Sequence, residues 1–382
     1  MLKNPHKKTI AFIRAIDIRI SQAEHAAHSK SLKPFYISNY NKEIKDYLKN
    51  KSAKYIPIDL KPEFLFDPVK LFSGRIAQQS WLIFKQKELE KVLKEIDFYQ
   101  IQESFFLFSG QVAGIAKKFQ KPLIMAPWMC FDHPSTYIPP YSFSVKKSIS
   151  QTDLFIVRTK RVENYLSRFK VPESKKVLIY HGVNLKRFFP GNERDSGTIR
   201  ILFVGHLTIN KGFDDILEVF LELVKESPVR IELVVCGTGP LQSRVTKMSE
   251  TLPIKYLGQI SNLDLPDIYR NSDIFCGPSK DLSYFGVKYV EEGFGFVFAE
   301  SLASGLPIVT TDSGAIKEAV GGDNFVNKQG DKEALKNSLL ELINDDKMRY
   351  AIGVKNRARA EKMFDLEKQV AEEEKEIKKR FC

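Results

Sequence analysis

The sequence has no apolar run long enough to span a membrane. Its first apolar stretch, residues 9–13, is followed closely by Arg14, Asp17 and Arg19. A transmembrane helix needs ~20 consecutive apolar residues, and a signal peptide needs an uncharged apolar segment after its basic start. We therefore predict neither feature and expect a cytoplasmic protein.

Cysteine is also scarce, and the four residues are widely spaced: Cys130, Cys236, Cys276 and Cys382. This spacing is typical of neither a disulfide-stabilised secreted domain nor a zinc site. The sequence also lacks an Asp-x-Asp metal-binding motif. We therefore expect a reducing compartment, no resident cofactor and no metal site.

Acidic residues are few in the first half of the chain. Residues 1–190 hold 33 Lys and Arg against 16 Asp and Glu, a net charge of +17, whereas residues 191–382 hold 26 against 31, a net charge of −5; together they give the +12 of the whole chain. This asymmetry favours an anionic partner, either a membrane surface or a nucleic acid. Solvated lysines on helix faces are the alternative. Because no nucleic-acid-binding signature accompanies the charge, we expect no nucleic acid.

The remaining composition is that of a soluble globular protein. The apolar fraction is 43% and the charged fraction is 28%. A chain of 382 residues is too long for one ordinary hydrophobic core and long enough for two domains. Short apolar segments alternate with amphipathic ones, which is the pattern of βα units. We predict the α/β class, with Rossmann-like doubly wound domains at 1–190 and 191–362. A polar linker at 188–198 joins them, and a charged helix at 363–382 is expected to pack back toward the first domain.

The expected elements follow this alternation. In the first domain we place strands within 8–20, 34–38, 54–58, 123–128, 153–157 and 176–180, an apolar run at 105–108, and helices at 22–28, 41–52, 75–95, 141–151 and 159–169. In the second domain we place strands at 199–204, 231–236, 254–257, 273–276 and 308–311, a helix from Phe213 onward, and two helical stretches after 311.

In the stretch Glu292–Glu300, Glu-Gly-Phe-Gly-Phe-Val-Phe-Ala-Glu, a loop enters a short helix. Its glycines allow close backbone approach to a ligand, and the first-turn N–H groups of Gly295–Val297 suit anionic oxygens. Two carboxylates beside an anion would repel it, so we expect Glu292 and Glu300 to bind hydroxyls on either side of it. That description fits the diphosphate of a sugar nucleotide. A buried helix with a loop carboxylate is the alternative.

Two further glycine loops follow strands of the second domain, and doubly wound sheets bind ligands beyond the carboxyl ends of their strands. The loop Gly205–Gly212 carries Lys211 just before a helix, where an ammonium group would neutralise phosphate. A solvated lysine is the alternative. The loop Gly237-Thr238-Gly239 is a weak signal by itself, because glycine pairs after strands are frequent.

Taken in order, several motifs resemble the retaining glycosyltransferases of family 4, which have the GT-B fold: Lys211-Gly212, Gly237-Thr238-Gly239-Pro240, Pro278-Ser279, Glu292–Glu300 and Gly305-Leu306-Pro307. The resemblance covers roughly residues 176–330, and His181-Gly182-Val183-Asn184 is similar to the linker signal of that family. It implies two Rossmann-like domains facing a cleft that closes on substrate.

The resemblance also implies a role for each motif residue. Glu292 would hold hydroxyls of the donor sugar, Glu300 the ribose, and Lys211 the phosphates. The donor-binding residues expected on this basis are Gly205, His206, Lys211, Gly237, Gly239, Phe294, Gly295, Phe296, Val297 and Glu300. The implied reaction is metal-independent transfer of a sugar, with retention, from a nucleotide-diphosphate sugar to a hydroxyl of a saccharide or lipid-linked acceptor. The departing diphosphate takes the acceptor proton.

The chain departs from the family pattern at three places. His206 stands where the family has an arginine, residues 20–25 replace a glycine-rich loop, and Trp128 replaces a histidine. His133 is then the nearest candidate for a proton-handling or sugar-contacting group, so the expected catalytic residues are Glu292, Lys211 and His133. A loop histidine without a role is the alternative for His133.

Two other GT-B-type enzymes are the rival interpretations. A phosphorylase would carry a pyridoxal-phosphate lysine in a much longer chain. A sugar-nucleotide epimerase would need catalytic acids in the first domain, which the sequence does not place. We therefore predict a glycosyltransferase, with its basic first half on the inner face of the cell membrane.

Overall fold

The computed structural model describes residues 7–14, 20–62, 81–192 and 197–382. The chain divides into two compact units. The first combines Met1–Tyr180 with Leu366–Cys382, and the second is His181–Asp365. Within the described residues, no helix combines the length and the apolar character needed to cross a membrane.

The first unit is built on a seven-stranded parallel sheet. Its strand order is β3-β2-β1-β6-β7-β8-β9, a doubly wound order that reverses direction beside β1. The strands are β1 (Thr9–Ile13), β2 (Lys33–Ser38), β3 (Lys54–Pro57), β6 (Phe98–Ile101), β7 (Leu123–Met125), β8 (Leu154–Val157) and β9 (Lys176–Leu178). A separate antiparallel pair is formed by β4 (Leu60–Pro62) and β5 (Leu82–Phe84).

Helices cover both faces of this sheet. Alternate residues of a strand point to opposite faces, so in β1 Ala11 and Ile13 join one apolar cluster while Ile10 and Phe12 join the other. The helices of the first unit are Ile20–Ala27, Lys42–Leu48, Gln86–Leu93, Leu107–Phe119, Tyr141–Gln151, Lys160–Ser167 and Leu366–Phe381.

The last helix, Leu366–Phe381, is part of the first unit and contributes Ile377 to its core. Its Glu373 side chain is buried and accepts hydrogen bonds from Arg158 Nη2 at 2.9 Å and Gln100 Nε2 at 2.6 Å, and lies 3.0 Å from His25 Nε2. The neighbouring Glu374 accepts from the Leu32 N–H at 2.8 Å. Because a buried carboxylate needs such partners, these contacts fix the position of the helix.

The second unit repeats the doubly wound plan with six parallel strands in the order β12-β11-β10-β13-β16-β17. These are β10 (Thr198–Val204), β11 (Arg230–Cys236), β12 (Ile254–Gly258), β13 (Ile274–Gly277), β16 (Ile308–Thr311) and β17 (Phe325–Asn327). Its helices are Phe213–Glu226, Gln242–Ser249, Leu265–Arg270, Phe296–Ala303, Ile316–Val320, Lys332–Asn344 and Asp346–Met363.

The prediction of one helix over 75–95 is wrong in its described part. Residues 81–85 hold strand β5, and the helix is confined to Gln86–Leu93. Residues 75–80 lie outside the described part of the chain, as do residues 15–19 after the first strand and residues 193–196 of the expected linker.

Several elements of the described residues were not predicted, among them β4, β17 and the helices Gln242–Ser249 and Leu265–Arg270. Strand β6 precedes the apolar run at 105–108, and that run leads into the helix Leu107–Phe119. A hairpin, β14 (Leu282–Tyr284) with β15 (Val287–Val290), stands between β13 and the Glu292 loop. Of these, the hairpin bears most directly on the candidate site, because only Glu291 separates it from Glu292.

Candidate functional site

Two glycine loops of the second unit are stacked on each other at the carboxyl edge of the sheet. The Gly205 N–H donates to the Cys236 carbonyl at 3.0 Å, and the Leu207 N–H donates to the Thr238 carbonyl at 3.1 Å. A Cβ at Gly237 would lie 1.8 Å from the Gly205 carbonyl oxygen, so only glycine fits there. The glycine at 237 therefore allows the two backbone segments to meet.

The loop after β13 packs against the other side of the Gly205–Gly212 loop. A Cβ at Gly212, which has φ +66°, would lie 1.8 Å from the Pro278 carbonyl oxygen. The Lys280 N–H donates to the Asn210 carbonyl at 2.9 Å. These contacts hold Lys211 close to the loop that leads to Glu292.

Lys211 and Glu292 form a close ion pair. Ser279 Oγ also lies within 3.4 Å of Glu292 Oε2 and donates to it. The backbone of Glu292 is held from the opposite side, because its carbonyl accepts from the Ala315 N–H at 2.9 Å. The two predicted catalytic groups of this unit thus share one site, and both side chains keep some solvent exposure, 30% for Lys211 and 13% for Glu292.

The helix Phe296–Ala303 begins at Gly295, as the sequence indicated. Phe294 is buried, and its ring packs edge-on against Phe364 with 5.6 Å between centroids. Phe296 packs against the His181 ring at 4.4 Å. These aromatic contacts pack the loop against side chains of the second unit directly before the first-turn N–H groups, which suit an anion.

Glu300 lies one turn into this helix and is buried. Its Oε2 accepts from the Tyr269 hydroxyl at 3.0 Å, and its Oε1 lies 3.5 Å from Asn262 Nδ2. Burial, followed by the charge of Glu300, raises the pKa of Tyr269 well above its usual value. Tyr269 therefore stays protonated and donates to the carboxylate. Sequence reasoning did not identify Tyr269 or Asn262.

His206 lies between the stacked loops, with Nδ1 3.4 Å from the Thr238 carbonyl oxygen. Contacts between the two loops thus bring the predicted residues Gly205, His206, Gly237 and Gly239 together, and Lys211 lies farther along the first loop.

Two lysines near the site form ion pairs with carboxylates. Lys280 Nζ lies 3.0 Å from both Asp214 Oδ2 and Asp215 Oδ2. Lys288, on the hairpin, lies 2.9 Å from Asp281 Oδ2 and 2.5 Å from Glu291 Oε2. Neither lysine was predicted as a site residue. Because both are paired with carboxylates, they stabilise the backbone segments in which they lie.

The first unit holds the remaining predicted residue, His133. Its side chain is 1% exposed and stacks on Phe105 with 5.9 Å between centroids. Burial lowers the pKa of His133 to about 4, so the imidazole is neutral at physiological pH. A neutral imidazole can share a hydrogen bond with a hydroxyl, but it carries no charge toward an anion.

Close to His133 in sequence, the Trp128 backbone is bound by Glu103. The Trp128 N–H donates to Glu103 Oε1 at 2.7 Å, and the Met129 N–H donates to the same oxygen at 3.1 Å. Burial raises the pKa of Glu103 to about 8 despite these hydrogen bonds. This buried acid was not predicted, because an isolated glutamate after an unpredicted strand carries no sequence signal.

Comparison with known proteins relates the chain to glycosyltransferases. The family model described as glycosyl transferases group 1 matches residues 186–359. The chain is 25% identical over 273 residues to a GDP-mannose-dependent monoacylated alpha-(1-6)-phosphatidylinositol monomannoside mannosyltransferase of Corynebacterium glutamicum, a match covering 67% of this chain and 70% of that protein. It is 24% identical over 274 residues to a sulfoquinovosyl transferase of Arabidopsis thaliana, covering 65% of this chain and 50% of that protein.

Among solved structures, the fold is similar to that of Anabaena HepE in complex with UDP and glucose. The TM-score is 0.75 at 14% identity, and the match covers 97% of this chain and 99% of that one. At this identity the likeness concerns the fold alone. The predicted fold class, two Rossmann-like doubly wound domains of the GT-B type, is confirmed.

Proposed function

Because this chain is a glycosyltransferase with a group 1 domain at residues 186–359, we propose that it transfers a hexosyl unit from a nucleotide-diphosphate sugar with retention and without a metal ion. The observation that carries the proposal is the Lys211–Glu292 pair, which lies just before the N-terminus of the helix Phe296–Ala303. A sugar diphosphate presents anionic phosphates and hydroxyl groups. The cation and the backbone N–H groups suit the phosphates, and the carboxylate suits the hydroxyls.

Each group of the pair then has a distinct partner. The helix N-terminus and the Lys211 ammonium bind the diphosphate oxygens, while the Glu292 carboxylate accepts from hydroxyls of the donor sugar. In the structure the two side chains pair with each other. Donor binding replaces that contact with one charged hydrogen bond for each side chain.

The nucleoside lies toward Glu300. Its carboxylate is held by Tyr269 and lies next to Asn262, so it is oriented before a ribose hydroxyl arrives. The donor is proposed to carry a nucleoside diphosphate, a class supported by the UDP present with the similar HepE fold.

Charge stabilisation is the main catalytic contribution of the protein. As the bond between the sugar and the phosphate breaks, negative charge grows on the departing diphosphate, and Lys211 with the Gly295–Val297 amides stabilises it. The diphosphate then takes the proton of the acceptor hydroxyl. Protonated His206 would add a second positive charge in the same place.

The acceptor is proposed to be a saccharide or a lipid-linked hydroxyl. The Corynebacterium relative is named for a phosphatidylinositol mannoside acceptor, and the first 190 residues of this chain carry a net charge of +17. We propose that His133, a neutral imidazole buried in the first unit, positions the acceptor-contacting groups above it rather than contacting the acceptor itself. On these grounds the enzyme is proposed to be cytoplasmic and to associate with an anionic membrane.

The test uses the full-length protein with a panel of UDP- and GDP-sugars. We expect release of the nucleoside diphosphate from one donor, and products whose anomeric configuration by NMR equals that of the donor. Glu292→Gln should lower this release, while Glu333→Gln, an exposed change on the helix Lys332–Asn344, should leave it unchanged. Inverted products, or equal release by Glu292→Gln and the wild type, would overturn the proposal.

A further inference from the structure

Large apolar side chains face solvent in the segment that follows β7 in the first unit. Tyr137, Ile138 and Phe143 are 66%, 38% and 63% exposed. Ile138 lies directly before the start of the helix Tyr141–Gln151 that carries Phe143, since the Ser142 N–H donates to the Ile138 carbonyl at 3.0 Å and the Phe143 N–H donates to the Pro140 carbonyl at 3.1 Å. We name this patch, together with Lys146 and Lys147, the 137–147 surface.

The lysines share a helix face with Phe143. The helix Tyr141–Gln151 exposes Phe143, Lys146, Lys147 and Ser150, a spacing of three, four and seven residues that places them on one side. One helical turn rises about 5.4 Å, so the Cα atoms of Lys146 and Lys147 lie about one turn along the helix from the Cα atom of Phe143. Exposed apolar side chains next to basic ones on the same face are typical of a segment that lies at a lipid interface.

The opposite face accounts for the folding of this helix. Ser144 Oγ accepts from the Gly110 N–H at 3.0 Å and donates to the Phe106 carbonyl at 2.6 Å. Ser148 Oγ donates to the Ser104 carbonyl at 3.1 Å. Because these buried contacts fix the helix from its other side, the exposed rings make little contribution to the core.

The segment around this surface carries no negative charge. Residues 133–152 contain no Asp or Glu. The preceding Asp132 forms a close ion pair with Arg168 and accepts from the Tyr137 hydroxyl at 3.1 Å. The free charge of the 137–147 surface is therefore positive, which selects an anionic partner.

We propose that the 137–147 surface docks on an anionic lipid bilayer, with Tyr137, Ile138 and Phe143 at the interface and Lys146 and Lys147 at the headgroups. Aromatic side chains favour the membrane interface, and lysines are attracted to the negative surface of anionic lipids. The surface follows the carboxyl end of β7, the edge at which doubly wound sheets bind ligands. Docking there would present a lipid-linked acceptor to the first unit. The inference rests on the proposed membrane association and assigns it a surface.

The experiment is flotation of the full-length protein with vesicles of phosphatidylcholine alone and with added phosphatidylglycerol, at low and high salt. The wild type should float with the anionic vesicles at low salt and much less at high salt. Tyr137→Ser/Ile138→Ser/Phe143→Ser should abolish flotation. Lys146→Gln/Lys147→Gln should weaken binding by about 30-fold, since each lysine near an anionic surface is worth about fivefold.

The matched control is Tyr350→Ser/Val354→Ser, which removes two side chains that are 66% and 53% exposed on a helix of the second unit. It should float like the wild type, and all variants should unfold at the same temperature. If the wild type fails to float, membrane association itself is wrong. If the wild type floats and the triple variant floats equally, only the assignment to the 137–147 surface is wrong. Loss of a dimer in the triple variant without vesicles would identify the surface as a contact between two copies and overturn lipid docking.

Discussion

The ammonium group of Lys211 lies against the carboxylate of Glu292, although 81 residues separate them in the sequence. The loop of Lys211 packs on Pro278, and the Glu292 carbonyl accepts from the Ala315 N–H. A sugar nucleotide that bound both side chains would have to replace their ion pair.

Replacing Glu292 with Gln should reduce donor use without unfolding the second unit. A hydrogen bond to a charged group contributes ~1.5–3 kcal/mol, so kcat/KM should fall by about one to two decades. The measurement is steady-state release of nucleoside diphosphate, with thermal unfolding as the check on the fold. Wild-type kinetics in Glu292→Gln would remove this carboxylate from the site.

Replacing Lys211 with Met should lower kcat by at least about tenfold, because its ammonium is the permanent positive charge that stabilises the departing diphosphate. For the same reason, wild-type turnover should persist in excess chelator. Lys225→Met, at an exposed position in the last turn of the helix Phe213–Glu226, is the control and should behave like the wild type. Complete loss of activity in chelator, restored by a divalent ion, would contradict the metal-independent reaction.

Replacing His206 with Arg should flatten the pH dependence of donor affinity. An unperturbed histidine titrates at about pH 6.5, and a bound diphosphate favours its protonated form. In the wild type, donor affinity should therefore weaken as pH rises through the pKa of the bound state, whereas the arginine variant stays charged. The donor Kd is measured across this range by calorimetry. Identical profiles for both proteins would place His206 away from the phosphates.

Glu103→Gln should change how stability depends on pH. The folded-state pKa of Glu103 is raised to about 8 by burial, while the unfolded chain ionises near the ordinary value of 4.5. The carboxyl is then protonated in the folded state, and its contribution to stability is full below pH 4.5 and is lost as pH rises toward 8.

Glutamine keeps the oxygen that accepts from Trp128 and Met129 but does not titrate. Between pH 5 and pH 8, the free energy of unfolding of the variant should rise by on the order of 2–4 kcal/mol relative to that of the wild type. Urea unfolding at both values measures this difference, and Glu95→Gln, an exposed change, is the control. A constant difference at the two pH values would contradict the assignment.

Glu373→Ala should destabilise the first unit strongly. It leaves the Arg158 guanidinium buried without its carboxylate, and breaking a buried ion pair costs about 3–5 kcal/mol. Glu372→Ala, at an adjacent exposed position, should have an effect below about 1 kcal/mol. Hydrogen exchange of β1 and β8 reports on the first unit directly. Equal protection in the two variants would show that this buried pair does not hold the helix.

The contribution of Glu373 to the stability of the first unit should also depend on pH. Although burial by itself raises its pKa, the charges of His25 and Arg158 outweigh that effect and hold the pKa below its usual range. A carboxylate of this kind stabilises the folded state above its unfolded pKa, and the contribution is lost as pH falls. Acid should therefore release the last helix in the wild type.

The sequence predicted the doubly wound α/β class and the position of the glycine loops and Lys211 at one edge of the second sheet, because both depend on local signals. Gly237 and Lys211 stand directly after strands or before a helix, so their place at the carboxyl edge follows from chain direction. The hairpin Leu282–Val290 was missed although alternating apolar residues flank the Phe285-Gly286 turn, since its strands are only three and four residues long.

The partners of the buried acids were beyond sequence reasoning. Glu372, Glu373 and Glu374 are identical neighbours in a charged helix, yet only the last two are buried. Which of them meets Arg158 depends on the rotation of the helix against the sheet, a property of tertiary packing. Strand β5 escaped for a related reason, because pairing with β4 outweighed the helical pattern around it.

The inclusion of the helix Leu366–Phe381 in the first unit also affects the order in which the chain can fold during translation. Residues 1–180 leave the ribosome without Ile377, which completes their core, and without Glu373, which neutralises Arg158. The second unit, His181–Asp365, is continuous and can fold as soon as it is made. At about 5–20 residues per second, its synthesis imposes a wait of about 10–40 s on the first unit. The half of the chain that is made first is thus the half completed last, and its exposed core surface is the part of the nascent protein most in need of chaperone protection.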